Sequence, residues 1–271
     1  MTGLPLRIAS ATVAIALILL VYYVGERNGL ALLSALAVLR VIFEYGRLHF
    51  PDFVDRVAFF AVSTIALYFM HFEFWLNPLT VLFAIFTLTL FLFYRARTQR
   101  VTVEQLYFQF LAKGFGIVYC VWLPIFAMQI LYWGDDIFWF VFFLALVFIG
   151  DTAAYLFGMK FGKTRLVEMI SPKKSLEGSL AALVATTLTS LAVGWYLSES
   201  LVAFLILGVV ISLLAQTGDL VESLMKRASH VKDSGQIMPG HGGLMDRLDG
   251  VYWSAPFFYW FVSHLLIKAP H

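Results

Sequence analysis

The stretch LVAFLILGVVISLLAQTGDLV, residues 201–221, is followed at once by the polar string Ser223-Leu-Met-Lys-Arg-Ala-Ser-His-Val-Lys-Asp-Ser-Gly-Gln-Ile-Met-Pro-Gly-His-Gly-Gly-Leu-Met-Asp-Arg-Leu-Asp249. The first part is long and apolar enough to cross a bilayer, because about 20 helical residues span the roughly 30 Å hydrocarbon layer. The second part sets basic groups, carboxylates and glycines directly against that run. Ionisable residues are costly to keep beside hydrocarbon, so a cluster of them between two apolar helices marks a site.

The rest of the chain has the same apolar character. Of 271 residues, 61% are hydrophobic, 17% aromatic and only 13% charged, which leaves too little polar surface for a soluble domain of this size. The expected fold is all-α: a polytopic integral membrane protein of about nine transmembrane helices. The apolar runs place the spans at 8–24, 29–43, 57–71, 75–94, 107–132, 137–158, 178–197, 201–221 and 251–267. Arg40 interrupts the second. The first lacks a small-residue cleavage pattern before Gly25 and reads as a retained helix, not a secretory signal. The lone Cys120 lies in an apolar stretch and reads as a small buried hydrophobe.

Net charge, +2, says less than where the charges fall. With the amino terminus in the cytoplasm, that side receives Arg7, Arg47, Arg56, Arg95, Arg97, Arg100, Lys160, Lys163, Arg165, Lys173, Lys174, Lys226, Arg227, Lys232 and Arg247, whereas the opposite side receives Arg27 and Lys268. This asymmetry puts the amino terminus in and the carboxyl terminus out. Two polar connections, 158–179 and 226–250, then share the cytoplasmic face. Residues 1–100 read as an amino-terminal transmembrane scaffold, and residues 101–271 as the transmembrane catalytic region that carries both connections.

On a helix continued to Arg227, Asp219, Ser223 and Lys226 share one face at i, i+4 and i+7. Asp246 and Asp249, three apart, converge at the start of the last helix. Between them, Pro239-Gly240-His241-Gly242-Gly243 is too rich in glycine for helix or strand, and its N–H groups suit phosphate oxygens. Carboxylates, a hydroxyl and several cations together fit a magnesium-bound triphosphate. Zinc fits poorly, because no cysteine is near and His230 and His241 lack ligand spacing.

The string resembles the phosphatidate cytidylyltransferases, or CDP-diacylglycerol synthases, at Ser223, Lys226-Arg227, Lys232-Asp233, Pro239, His241-Gly242-Gly243, Asp246-Arg247 and Asp249. Gly150-Asp151 and the block Ser171-Pro172-Lys173-Lys174-Ser175-Leu176-Glu177-Gly178 are similar to the same family, so the resemblance covers residues 145–255. Ser175-Leu176 and Ala181-Ala182 stand where members commonly carry Thr with an aromatic residue and a Gly pair. The resemblance implies transfer of a cytidylyl group from CTP to phosphatidic acid, with magnesium, and room for a second cation, as cofactor. Asp219 and Asp246 are the leading metal ligands, with Asp249 and Ser223 beside them. Lys226, Arg227, Lys232 and Arg247 hold phosphates, Lys173 and Lys174 add charge, and His241 is a loop-structuring group or phosphate donor. The implied partners are CTP, phosphatidic acid and membrane lipids, without nucleic acid; a homo-oligomer is left open. The implied location is a bacterial inner membrane, with the site facing the cytoplasm.

Blander roles compete. Lys226-Arg227 doubles as a positive-inside anchor, Asp151 as a structural partner of Lys113 or Arg40, and Lys160, Lys163 and Arg165 as contacts to anionic lipid. A transporter of an anionic solute is disfavoured by the absence of an evident inverted repeat and by polar residues gathered at one face. A CDP-alcohol phosphotransferase is disfavoured because Asp249-Gly250 leads straight into Val251-Tyr252-Trp253.

Overall fold

The computed structural model describes residues 4–73, 77–98, 101–134, 137–235, 237 and 242–267, with no side-chain description at 4–12, 14, 15, 98 and 265–267. The helices are α1 (Leu4–His49), α2 (Phe53–Phe72), α3 (Asn77–Thr98), α4 (Val103–Ile117), α5 (Leu123–Ile130), α6 (Phe138–Phe161), α7 (Leu176–Tyr196), α8 (Leu201–Ala228) and α9 (Met245–Ile267). A π-helical turn, Val118–Trp122, joins α4 to α5. Seven segments among the described residues are long and apolar enough to cross a membrane: Ala16–His49, Phe53–Phe72, Asn77–Arg97, Val103–Ile130, Phe138–Phe161, Leu176–Tyr196 and Leu201–Ala228. The protein is an all-α polytopic membrane protein.

The sequence expectation of nine spans differs from these seven at the two ends. The expected spans 8–24 and 29–43 both fall within α1, whose backbone leaves helical geometry at Glu26 (φ 47°, ψ −136°). A Cβ on Gly29 would lie 2.6 Å from the Val21 carbonyl oxygen, although eight residues of straight helix separate by about 12 Å. The chain therefore doubles back at Glu26, and α1 consists of two arms. The expected span 251–267 is helical within α9, which is not among the seven.

The chain forms two compact units. The first comprises residues 1–129 and 231–247, the second residues 130–230 and 248–271. In the first, Val41, Ile42, Tyr45, Phe59, Tyr119 and Cys120 form a closed core. Gly116 lets the Tyr45 and Phe59 rings approach, since a Cβ there would meet Tyr45 at 2.5 Å. Lys113, 2% exposed, donates to Asp55 at 2.7 Å, and Arg40 pairs with Glu44 at 3.0 Å. The two cations weighed as partners of Asp151 thus have carboxylate partners of their own.

In the second unit, small residues let α6, α7 and α8 pack backbone to backbone, as membrane helices do. Thr186 donates to the Leu146 carbonyl at 3.1 Å, Ser190 donates to the Phe204 carbonyl at 2.6 Å, and a Cβ on Gly208 would lie 2.6 Å from the Thr187 Cα. The connection after α6 contains an antiparallel hairpin, β1 (Arg165–Val167) with β2 (Ser171–Ser175), in register Arg165 to Ser175 and Val167 to Ser171 with an irregularity between. Strands of three and five residues carry no legible alternation, so this hairpin was not expected from sequence.

A carboxylate centre and a carboxylate-held glycine loop

In the second unit the hairpin delivers Lys174 and the end of α8 delivers the carboxylates. Ser175 caps α7 by accepting the Gly178 N–H at 3.2 Å, and the Glu177 carboxylate accepts the N–H groups of Lys163 and Thr164, each at 3.1 Å. These bonds fasten the hairpin to the start of α7. Arg227 donates from Nε to the Ile170 carbonyl at 3.2 Å and fastens its turn to α8. Lys174 reaches the Asp219 carboxylate at 2.5 Å, Lys226 reaches Glu222 at 2.5 Å, and Ser223 donates to Asp219 at 3.5 Å.

The close approach of α8 and α9 brings a third carboxylate in. A Cβ on Gly218 would lie 2.6 Å from the Asp249 carbonyl oxygen and 2.8 Å from Trp253, so only glycine lets α9 pass at this level. Asp219, Glu222 and Asp249 then each offer an oxygen, and these oxygens lie within 4.8 Å of one another. Glu222 is 1% exposed and Asp249 8%. Asp249 lies ahead of the apolar run that begins at Val251; burial, then the charge of Asp219, pushes its carboxyl well above the ordinary carboxylate range, with Asp151 adding to the effect. Asp151 is thereby placed electrostatically beside this group. Three carboxylates face two ammonium groups, and like charges this close favour a cation among them. Among the described residues this group offers carboxylate oxygens alone, donors that suit magnesium, calcium or manganese. Glu222 was missed in the sequence reading; its signal was its position three residues after Asp219, one turn along the same helix.

In the first unit a second carboxylate organises the glycine segment. Asp246 Oδ2 accepts the N–H of Ser234 at 3.0 Å, the Ser234 hydroxyl at 2.9 Å and the N–H of Gly243 at 2.8 Å. Gly242 has φ +85°, and a Cβ there would lie 2.7 Å from that same oxygen. The Gly243 amide, expected to face phosphate, is thus satisfied by Asp246 in this structure. Lys173, Lys232 and Arg247 are exposed to solvent. His241 and Pro239 lie outside the described residues, as does Gly240. Glu44 of α1 also touches this segment, accepting the Met245 N–H at 2.9 Å, and no motif in residues 1–100 had pointed to it.

The chain is similar in sequence to known proteins. A phosphatidate cytidylyltransferase of Synechocystis sp. is 44% identical over 124 residues, which cover 45% of this chain and 42% of the relative. One from Staphylococcus aureus (strain COL) is 43% identical over 113 residues, covering 41% of this chain and 44% of the relative. An uncharacterized protein of Escherichia coli (strain K12) is 33% identical over 164 residues, covering 60% and 54%. The chain spans about half the length of the curated relatives it matches. The sequence model of the cytidylyltransferase family matches residues 5–265, and with a match of that extent the chain belongs to the cytidylyltransferase family.

Proposed function

We propose that this protein transfers a cytidylyl group from CTP to phosphatidic acid, giving CDP-diacylglycerol and pyrophosphate. The observation that carries the reading is the group of Asp219, Glu222 and Asp249 beside Lys174 and Lys226, in a membrane protein of this family. The donor set fits magnesium, which would be held by Asp219, Glu222 and Asp249 and would supply charge neutralisation for the triphosphate. A lipid phosphate oxygen, already anionic near neutral pH, attacks the α-phosphorus. The new phosphorus–oxygen bond forms as the bond between the α-phosphorus and its bridging oxygen to the β-phosphate breaks, and pyrophosphate leaves with that electron pair. No general base is required, so the side chains act by alignment and charge. Lys174, Lys226, Arg227 and the exposed Lys173 supply phosphate-binding charge, as do Lys232 and Arg247. Asp246 enters through the loop it holds, because Gly242 and Gly243 keep their geometry by way of its Oδ2.

The test follows two labels with purified protein, phosphatidic acid and magnesium. Label in the α-phosphate of CTP is expected in a lipid-soluble product, and γ label in pyrophosphate. Release of α label as CMP, γ label in lipid, or nucleotide crossing the bilayer unchanged would each defeat the reading. The family resemblance and the charge asymmetry further support a bacterial inner membrane with the site facing the cytoplasm. An impermeant thiol reagent should reach Cys at Lys173 and at Glu199, which flank α7, from opposite faces in a Cys120→Ala background.

A further inference from the structure

We infer that Glu44, in the amino-terminal region that carries no motif, is a positioning residue for the Ser234–Asp246 segment; the inference rests on the cytidylyl transfer proposed above. Glu44 is 1% exposed. One carboxylate oxygen, Oε2, accepts the Met245 N–H at 2.9 Å and the Ser234 hydroxyl at 3.3 Å, and the other, Oε1, is paired with Arg40 Nε at 3.0 Å. Met245 is the first residue of α9, and the first N–H groups of a helix have no acceptor within it. Glu44 therefore caps α9 from 201 positions earlier in the chain.

The glycines of the segment are fitted to this carboxylate. A Cβ on Gly235 would lie 2.5 Å from Glu44 Oε1, and one on Gly243 would lie 2.6 Å from Oε2. Ser234 stands between Glu44 and Asp246, its hydroxyl within hydrogen-bond distance of both carboxylates. The segment that carries Gly242, Gly243 and Arg247 thus hangs from two carboxylates, one inside the polar string and one on α1. Charge-assisted bonds to buried acceptors are short and directional, which is what holding a nucleotide-binding loop requires. A bond that only supported the fold would affect both substrates alike. A bond that positions this segment acts on the nucleotide, whose phosphates Arg247 is proposed to meet.

The test uses the full chain with CTP, phosphatidic acid and magnesium. Glu44→Ala is expected to raise KM for CTP about tenfold and to leave kcat and KM for phosphatidic acid within roughly twofold. Glu44→Gln keeps an oxygen acceptor for Met245 and should return KM for CTP to within about threefold of the wild type. Hydrogen exchange of the peptide covering 242–249 should accelerate in Glu44→Ala and stay protected in Glu44→Gln. Should Glu44→Ala fail to accumulate, Ser234→Ala, which removes the hydroxyl between the two carboxylates, must raise KM for CTP alone. Equal rises in both KM values, an unchanged KM for CTP, or unchanged exchange at 242–249 overturns the proposal. Wild-type protein that fails to transfer from CTP, with the exchange result intact, would sink the functional reading while leaving the cap from Glu44 in place.

Discussion

Gly218→Ala separates the geometry of the carboxylate centre from the stability of the fold. The added methyl would lie 2.6 Å from the Asp249 carbonyl oxygen and 2.8 Å from Trp253, and the first of these neighbours is backbone that cannot turn aside. Restoring an ordinary 3.4 Å contact requires α8 and α9 to part by roughly 0.8 Å at the level of Asp219 and Asp249. Overpacking costs about 1–3 kcal/mol, but alanine regains about 1 kcal/mol of helix propensity over glycine, so net destabilisation should be no more than about 2 kcal/mol. Catalysis by alignment is far less tolerant, and a displacement near 1 Å costs on the order of a hundredfold in rate. The expectation is a protein that melts within several degrees of wild type in detergent and turns over CTP about a hundredfold more slowly. Gly208→Ala is the control, because it meets the Thr187 Cα at the same 2.6 Å but lies about 15 Å farther along α8. It should lose comparable stability and keep most activity. Turnover within threefold of wild type in Gly218→Ala, or equal losses in both variants, would refute the argument.

Asp219→Asn and Asp249→Asn should each nearly abolish turnover with little effect on yield, and Glu222→Gln should raise the magnesium concentration for half-maximal rate at least about tenfold; near-normal rates at saturating magnesium would remove these residues from the metal site. Because burial and Asp219 hold the Asp249 carboxyl above its usual range, a proton would compete with the proposed cation there. Magnesium affinity should therefore strengthen as pH rises through that raised value, and the slope should flatten in Asp249→Asn; a slope unchanged by the substitution would contradict this. Lys113→Met leaves Asp55 as a buried, poorly compensated charge and should destabilise by about 3–5 kcal/mol, read by melting, whereas Asp55→Leu combined with Lys113→Met should recover most of the loss; a single variant as stable as the double would show that the pair is not a buried unit.

The membrane helices were legible because each needs a long apolar run: residues 57–71 and 201–221 fall inside observed helices, and 137–158 and 178–197 overrun theirs by one residue each. The turn at Glu26 was legible too, as the polar break between two runs, though the backbone that makes it was not. Asp219 and Asp249 stand together with Glu222, Lys174 pairs with Asp219 and Lys226 with Glu222, whereas the sequence had paired Asp219 with Asp246 as leading ligands. Glu222 escaped because the helical face was traced through i+4 and i+7 and not through i+3. Glu44 escaped for a different reason: its partners are backbone and hydroxyl groups some 200 positions away, and nothing local marks such a bond. The hairpin at 165–175 was hidden by its brevity, since two strands this short are held by the Glu177 and Arg227 bonds as much as by their own ladder.

The 28 residues of α8 also act as a ruler. A helix of that length measures about 42 Å, roughly 12 Å more than the hydrocarbon it has to cross. With Leu201 at one edge of the hydrocarbon, the other edge falls near Leu220, beside Asp219 and one turn before Ser223. Asp219 and Ser223 then stand at the depth where phospholipids keep their phosphates. For the transfer proposed above, a lipid substrate at that depth would need only to drift sideways in its own leaflet, without being lifted from the bilayer. The water-soluble nucleotide would make the longer approach, so that the length of one helix would sort the two proposed reactants by the direction from which each arrives.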